Sequence, residues 1–229
     1  MSELKAAGIT DPQLIASYEE CKRLNSLHGK TYYLATLLLP SHKRPFVHAL
    51  YGFARYADEI VDDLASTLTD AEKATALKEW GNEVLKGIDS GISNDQVGRA
   101  LIDTVRRFNI PREYFVAFLK SMTMDLTVTS YKNFDELMEY VYGSASVIGL
   151  EMVPILGYSS PEALVAAEKL GTAFQLANFI RDVGEDLDRG RIYLPLDDLA
   201  QFGVPPELLR SRILTPELIE ALKIQIARV

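Results

Sequence analysis

Arg55-Tyr56-Ala57-Asp58-Glu59-Ile60-Val61-Asp62-Asp63 is echoed far downstream by Asn178-Phe179-Ile180-Arg181-Asp182-Val183-Gly184-Glu185-Asp186, so one chain carries two D-x-x-x-D elements. On a helix, residues four apart share a face with Cβ atoms about 5 to 6 Å apart. Each element therefore presents a forked pair of carboxylates, and such like-charged pairs repel. The stripes extend further: Tyr51, Arg55, Asp58 and Asp62 lie at helical spacing, as do Gln175, Asn178, Asp182 and Asp186. Aliphatic residues normally fill such positions, and both segments are otherwise rich in them (Val47, Leu50, Phe53; Phe174, Leu176, Phe179). One D-x-x-x-D alone would ordinarily mark a solvated face. Two of them, each preceded by an arginine and other polar residues in register, point to an internal, wet pocket. Hard oxygen ligands on rigid helices suit Mg²⁺, which keeps several waters and binds one or two carboxylates together with substrate phosphates.

Outward from these stretches, nearly every segment between breakers has helical period. The expected helices run from Pro12 to about Asn25, Lys30 to Leu39, Ser41 to about Leu64, Asp70 to Gly87, Asn94 to Phe108 and Pro111 to Thr127. Further ones run from Asn133 to Gly157 and Ser160 to about Asp188, and two more open at Pro205-Pro206 and Thr215-Pro216. No alternating stretch with hairpin turn dipeptides appears. The expected fold is all-α, a single domain over residues 1–229 whose helices surround a central cavity.

Composition narrows the function. The chain has 229 residues, 48% hydrophobic and 24% charged, with a net charge of −8, and no basic stripe of the kind a nucleic-acid partner needs. Cys21 is the only cysteine, so there is no disulfide framework. The N-terminal stretch lacks the apolar core of a signal peptide, and no apolar run reaches the ~18 residues of a membrane span. Tyr32 to Pro40 is too short, and Val147 to Tyr158 is broken by Glu151 and Pro154. A cytoplasmic protein is expected. None of His28, His42 and His48 lies three residues after a glutamate, so the Glu-x-x-His element of di-iron bundles is missing. Met122 and Met124 read as core filling.

Taken together, these residues resemble the squalene and phytoene synthase family of head-to-head prenyl synthases. Gly171 to Asp186, running on into Arg189-Gly190-Arg191-Ile192-Tyr193-Leu194-Pro195, is similar to the family's second signature, and Leu50 to Asp63 to its first aspartate-rich motif. His28-Gly29-Lys30-Thr31-Tyr32 is similar to an H-S-K-S-F element near the diphosphates, with Gly29 in place of serine. Tyr140-Val141-Tyr142-Gly143-Ser144-Ala145-Ser146-Val147-Ile148-Gly149 is similar to the Y-x-x-G-V-A-G-x-V-G stretch of the prenyl channel, with Ser144 and Ser146 as departures.

The resemblance implies the class I terpenoid synthase fold and Mg²⁺-dependent loss of diphosphate, with Mn²⁺ as a substitute metal. It implies 1-1′ joining of two geranylgeranyl diphosphates through a cyclopropyl diphosphate to phytoene, without NADPH. It assigns Asp58, Asp62, Asn178, Asp182 and Asp186 to the metal, and Lys30, Thr31, Arg55, Gln175, Asn178 and Arg181 to the diphosphates. Tyr51 and Tyr140 join the aspartates as catalytic residues, and Tyr32, Ser144, Ala145, Ile148 and Gly149 form the prenyl channel. Two other readings stay open: an enzyme using farnesyl diphosphate to make squalene, dehydrosqualene or presqualene diphosphate, and a non-catalytic helical binding or assembly protein of the same fold. Long hydrocarbon substrates imply peripheral membrane contact. Relatives continue past the R-G-R-x-Y-L-P element with more helices, so the chain is expected to be truncated at its C-terminus relative to the family.

Overall fold

The structure, a computed structural model, describes residues 2–62 and 67–229, Asp62 by its backbone alone. Its helices are α1 (Glu3–Ala6), α2 (Pro12–His28), α3 (Lys30–Thr36), α4 (Arg44–Asp62), α5 (Asp70–Ser90), α6 (Gln96–Phe108) and α7 (Arg112–Thr127). After α7 come α8 (Phe134–Val141), a π-helical turn (Tyr142–Ser146), α9 (Val147–Leu156), α10 (Glu162–Arg181) and α11 (Val183–Asp188). Short α12 (Leu196–Gln201) and α13 (Pro206–Arg210) lead to α14 (Pro216–Arg228). The described residues contain no strand, only an isolated parallel bridge between Ser130 and Ile192.

Local chemistry starts most of these helices where the sequence says. The Asp11 side chain accepts from the Leu14 N–H ahead of Pro12, and Thr69 with Glu72 forms a reciprocal capping box, satisfying donors that a helix start leaves free. Packing does the rest. Helix α4 is the central strut, with Phe46, Val47, Leu50, Phe53, Ala57 and Val61 all buried. Phe53 alone meets the rings of Phe115, Phe118 and Trp80 at centroid distances of 5.4, 5.0 and 5.4 Å. A second cluster joins Tyr131, Leu137, Tyr140, Leu176, Phe179 and Tyr193. A third, around Ile192, Leu199, Leu209 and Leu218, anchors the C-terminal helices.

Two long helices expected from periodicity are interrupted, both next to the pocket. The one over 133–157 contains the π turn. Gly143 there lies so close to α7 that a Cβ would stand 2.1 Å from the Ala117 carbonyl oxygen and 2.3 Å from Ser121 Oγ. The Ser121 hydroxyl donates to the Tyr140 carbonyl at 2.9 Å, covering an acceptor at the point where the helical register changes. The helix expected to reach Asp188 breaks at Asp182, whose φ of −100° and ψ of 12° are not helical. Short polar side chains compete with the helical backbone, and Gly184 weakens the next turn. The Asp182 N–H still reaches the Asn178 carbonyl at 2.8 Å, and the Asp182 carbonyl accepts from the Asp186 N–H at 2.9 Å. The break therefore turns the chain while keeping the polar residues close in space. Sequence periodicity also passed over α1 and α12, each only one or two turns long.

Candidate active site

A polar cavity of about 340 Å³ lies between α4, α7 and α10 with α11. Asp58 reaches it from α4, Asp125 from α7, Tyr140 and Ser144 from α8 and the π turn, and Gln175, Asn178, Asp182 and Asp186 from α10 and α11. Residues from the two acidic stretches, far apart in sequence, thus share one chamber. Burial, and then the neighbouring Asp182 charge, pushes the Asp186 carboxyl up to about 6. Asp182 lies below the ordinary carboxylate range because Arg181 donates to both of its oxygens, at 2.7 and 2.7 Å. The side chain of Asp62 lies outside the described residues, as does Asp63.

Several wall residues lie outside the two acidic stripes. Asp125 accepts from the Tyr140 hydroxyl at 3.1 Å and from the Tyr193 hydroxyl at 3.4 Å, while Arg191 donates to the Asp125 carbonyl at 2.9 Å. Tyr193 stacks on Phe179, with centroids 4.2 Å apart and planes 7° apart. Burial holds the Tyr140 phenol well above its ordinary range and moves Tyr193 up to about 12. Both remain neutral hydrogen-bond donors near pH 7. Glu185, Arg189 and Arg191 also line the chamber. Arg189, Arg191 and Tyr193 belong to the R-G-R-x-Y-L-P element, a motif to which the sequence alone assigned no site role. Asp125 gave only a faint signal, one carboxylate at the end of an apolar helix.

Next to this chamber is an apolar cavity of about 460 Å³, walled by Tyr32, Ala35 and Leu39 on one side, Leu50, Tyr51 and Ala54 on α4, and Phe118, Ile148, Glu151 and Met152 opposite. Ser144, in the π turn, lines both cavities. Three of the expected channel residues, Tyr32, Ser144 and Ile148, lie in this wall. Ala145 and Gly149 do not: a Cβ on Gly149 would stand 2.7 Å from the Ala167 carbonyl oxygen, and that close approach turns this face of the helix toward α10. Tyr51 belongs to the apolar cavity and not to the polar one.

The expected diphosphate cations are placed less centrally. Lys30 and Thr31 are exposed in the first turn of α3 and line neither cavity. Arg55 donates within its own helix to Asp58 and Glu59, at 3.1 and 3.1 Å. Arg181 is largely exposed and held on Asp182. Arg189 and Arg191 are the guanidinium groups in the chamber wall.

The donor set fits a hard divalent cation. The chamber offers carboxylate and amide oxygens, and burial, then the nearby Asp182 charge, holds the Asp186 carboxyl above its ordinary range, a cost that a bound cation would relieve. Among the described residues, no three His, Cys, Asp or Glu side chains stand close enough to hold one metal ion by themselves. An ion here would take one or two protein oxygens and complete its shell with water and phosphate, the pattern of Mg²⁺.

The profile of the squalene/phytoene synthase family matches residues 26–229. The chain belongs to this family. It is 40% identical to the chloroplastic phytoene synthase of Narcissus pseudonarcissus over 220 residues, covering 93% of this chain and 51% of the relative. To the phytoene synthase of Arthrospira platensis it is 38% identical over 211 residues, 86% of this chain and 67% of the relative. The chain thus spans about half the length of the plant relative. The crystal structure of squalene synthase HpnC from Alicyclobacillus acidocaldarius matches with a TM-score of 0.87 at 29% identity, over 97% of this chain and 82% of that one. The all-α prenyl synthase fold and the family implied by the motifs are therefore those of the protein.

Proposed function

We propose that the chain is a prenyltransferase that joins two geranylgeranyl diphosphates head to head, through a cyclopropyl diphosphate, to phytoene. The observation that carries this reading is the adjacency at Ser144, which lines both a chamber rich in carboxylates and guanidinium groups and an apolar cavity. That shape suits a ligand with a highly charged head and a long hydrocarbon tail. That the relatives are named phytoene synthase supports reading the substrate as C20 and not C15.

Asp58, Asn178, Asp182 and Asp186, with Asp62, would hold Mg²⁺, or Mn²⁺ in its place. Such an ion would supply neutralisation of the charge that develops on a departing diphosphate. Arg189 and Arg191 add guanidinium donors suited to phosphate oxygens. Asp125 fixes the Tyr140 and Tyr193 phenols toward the chamber, where neutral hydroxyls orient the substrates without introducing a competing negative charge. The apolar channel keeps water from the reacting carbons.

Incubation with C15 and C20 diphosphates and Mg²⁺, with and without NADPH, tests the reading. A C40 hydrocarbon formed from the C20 substrate without reductant is the expected product. Exclusive use of farnesyl diphosphate would move the protein to the squalene branch, and binding without coupling would make it a helical binding protein.

The same reading makes the protein cytoplasmic and peripheral on a bilayer. Tyr32, Leu34 and Leu38 are 68, 65 and 87% exposed beside the apolar cavity, and among the described residues no helix is long and apolar enough to cross a membrane. Co-flotation with neutral liposomes is expected. Failure to float at every salt concentration would count against it.

A further inference from the structure

Helix α11 carries the end of the second acidic stretch and cannot hold itself. It is six residues long, Val183–Asp188, too short to persist alone. It starts at the non-helical Asp182, and Gly184 weakens its first turn. Glu185 and Asp186 line the chamber, while Val183 and Leu187 pack on the cluster around Ile192, Leu199, Leu209 and Leu218. Arg212 reaches α11 from the turn between α13 and α14. Its Nη2 donates to the Gly184 carbonyl at 3.3 Å and to the Asp188 carboxylate, so one guanidinium touches α11 at its second and its last residue.

The backbone of Arg212 has a φ of 58°, in the left-handed region. Arg212 follows Ser211, the C-cap of α13, a position where helices commonly take glycine because a Cβ is disfavoured there. Among the described residues one other non-glycine residue, Asn109, has such a φ, and asparagine tolerates it. An arginine there is strained, and its ion pair does not explain why it is kept. Arg212 and Asp188 are 52 and 65% exposed, and exposed pairs contribute little to stability. Nor is Arg212 among the residues lining the chamber. What its side chain does is tie down α11.

We propose that Arg212 is a positioning residue, a clamp that holds α11 so that Asp186 keeps its place in the chamber wall. The proposal rests on the reading of the chamber as a site for Mg²⁺ and diphosphate. Without the clamp α11 samples other positions, and a metal that needs the competent one binds more weakly in proportion to its reduced population. Charge alone predicts the opposite, because removing a guanidinium from the neighbourhood of a cation site tightens cation binding. The sign of the change therefore identifies the role.

The test compares wild type, Arg212→Gly and Arg212→Ala by calorimetric binding of a non-reacting C15 prenyl thiolodiphosphate across a series of Mg²⁺ concentrations. Melting curves are taken without metal or ligand. A C15 chain serves because a cavity that accepts C20 also admits it. In both variants the Mg²⁺ concentration for half-maximal binding should rise about 10-fold, the loss typical of groups that orient metal ligands. Ligand affinity at saturating Mg²⁺ should return to that of wild type. Arg212→Gly, which relieves the left-handed backbone as it removes the pair, should melt within about 4 °C of wild type. An unchanged or lower half-maximal Mg²⁺ in either variant would overturn the clamp. So would a loss of ligand affinity that persists at saturating Mg²⁺, which would place Arg212 on the diphosphate itself, or an Arg212→Gly chain that melts further below wild type than that. If the variants lose Mg²⁺ affinity as described while wild type fails to couple reactive C15 or C20 diphosphates, the proposed function fails and the clamp stands. Absence of Mg²⁺-dependent binding in wild type overturns both.

Discussion

Asp182→Asn and Asp186→Asn are each expected to lower turnover by about a thousandfold, since metal-assisted charge neutralisation at a leaving group is worth several kcal/mol. Both side chains line the chamber with Asp58 across from them, and an amide oxygen is a much poorer ligand for Mg²⁺ than a carboxylate. Stability separates this role from a structural one, and the two variants should differ. The folded-state pKa of Asp186 is raised above its ordinary value of 3.8 to about 6. The stability linked to it is complete below 3.8 and lost as pH rises through about 6. At pH 7 without metal the wild type bears that cost, so Asp186→Asn should melt at the same temperature or higher. Asp182 is shifted the other way by Arg181. Its contribution is present above the ordinary value and lost in acid, so Asp182→Asn should melt slightly lower at pH 7. Thermal melting with and without Mg²⁺, beside the coupling assay, reads both. Normal turnover in either variant would remove the carboxylates from the mechanism, and a steep loss of stability in Asp186→Asn would make them structural.

What the sequence could not reveal depends on contacts between distant segments. Thr69 with Glu72 and Asp11 with Pro12 announce helix starts because each cap needs only residues within one turn. The π turn has no such signal. Within it Gly143 is pressed on Ala117 and Ser121 of another helix, and a glycine in the sequence does not say what it presses on. Ala145 and Gly149, named from the motif resemblance, are not among the residues lining the apolar cavity. Ser144, Ile148 and Glu151 line that cavity, while Gly149 meets α10. The aspartate stripes were legible because a helical repeat of carboxylates among apolar residues is improbable in a core. The arginines were legible as residues but not as contacts: Arg55 and Arg181 are held by carboxylates one to four positions away, and Arg189 and Arg191 lie in the chamber wall. Glu151 was visible only as the charge that interrupts an apolar run. Its burial is a fact of packing.

That burial leads to a second large effect. Glu151→Gln is expected to stabilise the protein by an amount that grows with pH. The ordinary value of the Glu151 carboxyl is 4.5 and its folded-state value is about 8, with desolvation as the cause. A folded-state pKa raised in this way means that the native protein holds a proton the unfolded chain has released. The associated stability is intact below pH 4.5 and is lost as pH climbs through about 8. The slope is about 1.4 kcal/mol per pH unit across that window, which sums to about 4 to 5 kcal/mol. Glutamine has the same size and burial but does not titrate, so the difference between variant and wild type isolates this one group from every other ionisation. Near pH 4.5 the two should melt together; at pH 8 the variant should melt on the order of 10 °C higher, taking about 2 to 4 °C per kcal/mol for a chain of this size. Paired melting curves at half-unit steps from pH 4.5 to 8.5 give the whole profile. A constant offset would mean that Glu151 does not change its protonation on folding, and a variant less stable at pH 8 would mean that its carboxylate has a cationic partner in the folded protein.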